Sequence, residues 1–107
     1  MERHAQINNF SLAAHRLAVE RLREQPHRVG EALEVLRRWQ QQAEGPTHCT
    51  PYWDEWTALL HQGVDAVATA VCSPSDHAEV LRSVSPLGRF ISAAERRQFL
   101  SDARQTA

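Results

Sequence analysis

Thr50-Pro51-Tyr52-Trp53-Asp54-Glu55-Trp56-Thr57-Ala58-Leu59-Leu60 is the stretch from which the fold is read. It holds two of the three tryptophans and the single tyrosine. It also opens like a helix. Thr50 suits a cap, and Pro51 suits the first helical position, where no backbone N–H is needed. Asp54 and Glu55 set negative charge near the positive end of the helix dipole. Tyr52, Trp56, Leu59 and Leu60 share one face at helical spacing, with Trp53 one step round. Each large aromatic removes about 150–250 Å² from water when buried. A helix over 51–61, closed by Gly63, is therefore an anchor, either for a core or for a partner.

Upstream lies Glu44-Gly45-Pro46-Thr47-His48-Cys49, the best linker in the chain, so residues 44–50 read as an internal connector. Before it, Val29, Ala32, Leu33, Leu36 and Ala43 repeat at helical spacing over 27–43, with Val35 and Trp39 on an edge strip. Gln25-Pro26 separates that helix from a first one over 12–24, because proline disfavours the α conformation at the residue before it. Phe10 and Ser11 read as a staple residue and an N-cap. Residues 1–8 read as a frayed start. The two helices and their short break predict an N-terminal helical hairpin.

Downstream, Val64, Val67, Ala68 and Val71 mark a short helix over 65–71. Ser73 reads as the cap of a fifth helix, with Pro74 at its first position and Ala78, Leu81 and Val84 inward. Ser85 to Ile91 is an apolar, non-helical connector. Ser92-Ala93-Ala94-Glu95 is a capping box. It opens a sixth helix reaching Arg104, with Phe99 and Leu100 as its apolar anchors, and the tail 105–107 frays. Strand-like alternation is absent from the sequence. The fold class is all-α: about six short helices in a compact bundle, forming a single domain over 1–107.

Composition narrows the function. The 42% apolar fraction supplies a small core, and no run of about 18 apolar residues predicts a membrane span. The start of the chain shows no secretory signal. Two cysteines, Cys49 and Cys72, are too few for a disulfide framework, so free thiols in a cytoplasmic setting are expected. All 12 cations are arginine, and 13 acids bring the net charge to −1. That balance disfavours a nucleic-acid surface.

No motif supplies chemistry. The six histidines lack the i, i+4 spacing of a helical zinc site, and no Cys-x-x-Cys occurs, so neither metal nor cofactor is expected. Cys72 with His77 matches no nucleophile signature, and Asp76 and His77 are better read as first-turn residues. No phosphate-binding glycine loop is present. A helix-turn-helix over the fourth and fifth helices is the alternative reading, a DNA-binding autoregulator. Its recognition helix would carry two acids and one arginine, which is poor for phosphates. Partner binding fits better, since Trp, Tyr and Arg dominate interface hot spots. The candidate contact residues are Trp39, Trp53, Trp56, Arg89, Phe90, Arg96 and Arg97. For the tryptophans the competing reading is a core anchor, and for Arg96-Arg97 a solvated face.

Several phrases look familiar as a set. They are Leu17-Ala18-Val19-Glu20-Arg21-Leu22-Arg23, Val35-Leu36-Arg37-Arg38-Trp39, Trp53-Asp54-Glu55-Trp56, Leu81-Arg82-Ser83-Val84-Ser85-Pro86-Leu87 and Ser92-Ala93-Ala94-Glu95-Arg96-Arg97. Together they resemble the small all-helical antitoxin-like chaperones paired with zeta-type kinase toxins, deployed as type III effectors in plant-pathogenic bacteria. The resemblance implies a non-enzymatic antidote that binds the product of the adjacent gene and obstructs its nucleotide or substrate pocket. It lends no catalytic residues. It also departs from ordinary type III secretion chaperones, which are α/β dimers.

Overall fold

In the absence of proline and glycine, a helix propagates until something stops it. From Glu2 to Gln25 nothing does. The computed structural model, which describes residues 2–106 and the side chains of 9–105, shows one long helix there, α1 (Glu2–Glu24). It begins well before Leu12, so Ser11 is an interior residue and not an N-cap. The segment expected to fray is helical from Glu2 onward, and Met1 lies outside the described residues. Pro26 then starts a single 3-10 turn, Pro26–Arg28, which runs into α2 (Val29–Gln42).

The linker reverses the chain through two residues at positive φ, Glu44 (53°) and Gly45 (122°). The aromatic helix, α3, is Thr50–Gln62. Thr50 is its first residue, and its Oγ1 accepts from Thr47 N at 2.8 Å, so it ties down the linker and does not cap the helix. Gly63, at φ 119° and ψ 173°, ends α3 and begins α4 (Val64–Val71) in one step. That region is open essentially to glycine alone.

Ser75, not Ser73, caps α5 (Asp76–Ser83): its backbone is extended and its Oγ accepts from Ala78 N at 3.1 Å. A 3-10 turn, Gly88–Phe90, follows. The capping box before α6 (Ala93–Thr106) forms reciprocally, with Ser92 N donating to Glu95 Oε1 at 2.9 Å and Glu95 N donating to Ser92 Oγ at 3.1 Å. The architecture is thus all-α with six helices, and no strand occurs among the described residues.

The spine is α1. It packs against α6, α4 and α5, while α2 packs against α3 and α3 against α4. The N-terminal pair is therefore joined mainly at its proline turn, and each helix finds its closest neighbours elsewhere. The width of the apolar face on α1 explains this, because Ala14, Ala18, Val19 and Leu22 are all buried and span more than one stripe.

Trp56 fills the centre at 0% exposure, and its indole Nε1 donates to Leu81 O at 2.8 Å. Burying an indole of this size stabilises the fold by about 4–6 kcal/mol as an upper bound. On α6 the inward pair is Phe99 and Ala103, four apart, which turns Leu100 outward at 37% exposure.

Candidate functional site

Among the described residues three surface features combine apolar area with polar groups. The first is a shallow groove between α2 and α3, lined by Trp39, Gln42, Ala43, Trp53 and Val84. Trp39 and Trp53 are both half-buried. Their rings stand 6.1 Å apart, centroid to centroid, tilted by 39°, within the favourable range for aromatic pairs. At the rim Gln40 Nε2 donates to Asp54 Oδ1 at 3.1 Å. The pairing arises because Trp53 sits one step round α3 from the buried face and Trp39 lies on the edge strip of α2.

The second feature is an arginine cluster around Phe90. Arg28 lies 4.4 Å over the Phe90 ring, a cation–π contact. Arg28 Nε donates to Glu31 Oε2 at 2.8 Å, and Arg89 Nε stands 3.4 Å from Glu31 Oε1. Arg21 Nη1 donates to Phe90 O at 2.7 Å and to Glu95 Oε1 at 2.6 Å, while its Nη2 binds the other carboxylate oxygen. This fork joins α1 to α6. It holds Glu95 down to about 2, first through Arg21 and then through the Ser92 N–H. The Arg28 hydrogen bonds hold Glu31 below the usual carboxylate range. Each guanidinium here is matched to a carboxylate, so the cluster acts as a set of internal clasps.

The third feature is a cavity of about 440 Å³ beneath α1 and α5. Its wall includes Ala14, His15, Ala18, Arg82, Leu87 and Arg96. Arg82 is buried at 4% exposure. Its Nε donates to Ser11 Oγ at 3.0 Å and its Nη1 to Val71 O at 2.7 Å and Ser73 O at 2.8 Å. One guanidinium thus ties α1, the end of α4 and the α4–α5 connector. His15 Nδ1 lies 2.8 Å from Ser11 O, which places the ring proton on Nδ1 and leaves the Nε2 lone pair as an acceptor. That Nε2 is buried without a partner. Burial pulls His15 down to about 4, with the Arg82 charge adding to the effect and the Ser11 carbonyl opposing it.

These geometries redistribute the expected contact residues. Trp56 and Phe90, at 0% and 3% exposure, belong to the core and present no surface to a partner. Helical spacing from Leu60 accounts for Trp56, and the 3-10 turn rolls Phe90 inward. Trp39 and Trp53 come together in the groove. Arg89 pairs with Glu31, Arg96 Nη2 donates to Gly88 O at 3.2 Å, and Arg97 is exposed.

Sequence reasoning missed Arg21, Arg28, Arg82 and His15. Position was the available signal for two of them. Arg21 continues the inward row of Ala14, Leu17 and Ala18, and Arg82 lies four residues beyond buried Ala78. A cation on an apolar row must find a partner.

The helix that a DNA reader would use also looks different in three dimensions. The sole arginine of α5 is the buried Arg82, and His77 Nε2 engages Glu55 at 2.8–2.9 Å. Asp76 and Glu79 occupy its first turn, an arrangement unsuited to a phosphate backbone. Cys72 carries a thiol that burial pushes up, away from the thiolate a nucleophile requires. Both cysteines are free. No group of three or more His, Cys, Asp or Glu residues gathers to hold a metal among the described residues. No helix among them is long and apolar enough to cross a membrane. No family model matches the chain, nor does any curated protein or solved structure.

Proposed function

We propose that this protein is a non-enzymatic antitoxin or chaperone. In this reading it acts in the cytoplasm, where it binds a cognate toxin or effector of the zeta-type kinase class and holds it inert by obstructing its nucleotide or substrate pocket. The observation that carries the reading is the Trp39–Trp53 groove. Two large aromatics stand half-buried at the surface of a chain whose charge is nearly balanced, with a polar pair at the rim. Interface cores have this composition: aromatic anchors, few charges, and a polar surround. The occupant is an apolar anchor on the partner, seated between the indoles. The family of the partner rests on the sequence resemblance alone.

Co-expression with the product of the neighbouring gene tests the proposal. The expected result is a co-purifying complex and relief of the neighbour's toxicity. Trp39→Ala and Trp53→Ala should each weaken the complex by at least about 2 kcal/mol, the size of a hot-spot truncation, while circular dichroism stays helical. A neighbour that is harmless alone and fails to co-purify sinks the reading.

A further inference from the structure

The cavity under α1 owes its space to sequence. The inward row of α1 runs Ala14, Ala18, Leu22, one residue per turn, and the first two are too small to fill what Leu22 fills lower down. Opposite them, Leu87 and Ile91 form an apolar wall. The resulting volume, about 440 Å³, lies in the range of small-molecule sites. Its polar groups are few. Burial lowers the affinity of Arg82 for its proton and the charge of nearby Glu79 opposes that, so the Glu79 and Arg82 charges offset each other. His15 is neutral at physiological pH. Arg96 supplies the surplus positive charge. It is exposed, and among the described residues its side chain's hydrogen bond to Gly88 O uses Nη2, which leaves other donors of its fork for a ligand.

We propose that this cavity binds a small amphipathic carboxylate, with its hydrocarbon tail against Ala14, Ala18, Leu87 and Ile91 and its carboxylate on Arg96. The half-open, inward-reaching shape admits a free small molecule. The site shares no lining residue with the Trp39–Trp53 groove, and the proposal does not depend on any partner.

Isothermal titration with octanoate, decanoate, 1-octanol and octylamine tests it. Saturable one-to-one binding of octanoate is expected. Each added methylene tightens binding about fourfold, so decanoate binds more than tenfold better. Octylamine binds more weakly than octanoate. Arg96→Gln, at an exposed position, weakens octanoate about fivefold and leaves 1-octanol unchanged. Ala14→Leu fills the cavity and weakens both. If it impairs folding, Arg96→Gln with the alcohol control decides the matter. No saturable binding of either carboxylate overturns the proposal. So does an Ala14→Leu protein that folds and binds as before, or an Arg96→Gln protein that binds octanoate as well as the unaltered chain does.

Discussion

Mild acid should loosen this fold through one imidazole. His15 is held at about 4 in the folded protein against an ordinary 6.5. Above pH 6.5 both folded and unfolded chains carry it neutral, and its contribution is fully present. As pH falls below 6.5 the unfolded chain takes up a proton that the folded chain refuses, so stability declines until about pH 4 and then levels off. At 1.36 kcal/mol per unit the whole effect is about 3 kcal/mol. About 2 kcal/mol of it falls between pH 7.5 and 5, before carboxylates titrate. Against a typical total of about 5–15 kcal/mol this is a large share.

The perturbation is His15→Leu, which keeps an apolar side chain beside Trp56 and removes the titration. At neutral pH the variant loses the hydrogen bond to Ser11 O and also an unpaired buried acceptor, effects of similar size and opposite sign. Urea unfolding followed by tryptophan fluorescence, at several pH values from 7.5 to 5, compares the two proteins. The unaltered chain should lose about 2 kcal/mol across that range and the variant almost none. Parallel pH profiles for the two would refute the assignment.

Glu95 should define a separate, more acidic window. Its stabilisation is present above about pH 4.5 and is lost as pH falls toward 2, and Glu95→Gln should flatten that part of the acid unfolding curve. Arg82→Met should cost about 3 kcal/mol, because it strands two buried carbonyls and a hydroxyl. Arg82→Lys should restore little, since an ammonium cannot reproduce the fork, and thermal unfolding reads both. Gly63→Ala should cost about 1–3 kcal/mol purely through backbone conformation, because an added Cβ there meets no atom within 4 Å. Glu44→Gly should gain about 1 kcal/mol by relieving a left-handed non-glycine residue, measured as a raised melting temperature.

What the sequence discloses is mostly local. Pro26, Gly45-Pro46, Gly63, Ser73-Pro74-Ser75 and the Ser92–Glu95 box are punctuation read within one turn, and the six helices are separated at them. The Trp56 assignment also follows from periodicity, since Leu60 sits four residues on. Three things were not legible. The start of α1 was hidden because Ser11 looks like a cap, while no breaker precedes it to end the helix. Phe90 lies in a connector without period, so nothing local says which way it turns. The destinations of Arg21 and Arg82 depend on residues more than 70 positions away, Glu95 and Ser11, and no window of helical length contains both ends.

The Arg21–Glu95 fork has a consequence for how the chain is made. The two residues are 74 apart in sequence. At ribosomal speeds of about 5–20 residues per second, α1 waits roughly 4–15 s for the helix that closes over it. During that interval Ala18, Val19 and Leu22 have only the segments before α6, among them α4 and α5, to cover them, and at first not even those. Nascent chains stalled before Glu95 should therefore expose the α1 row to proteases and to chaperones, while those stalled well beyond α6 should not.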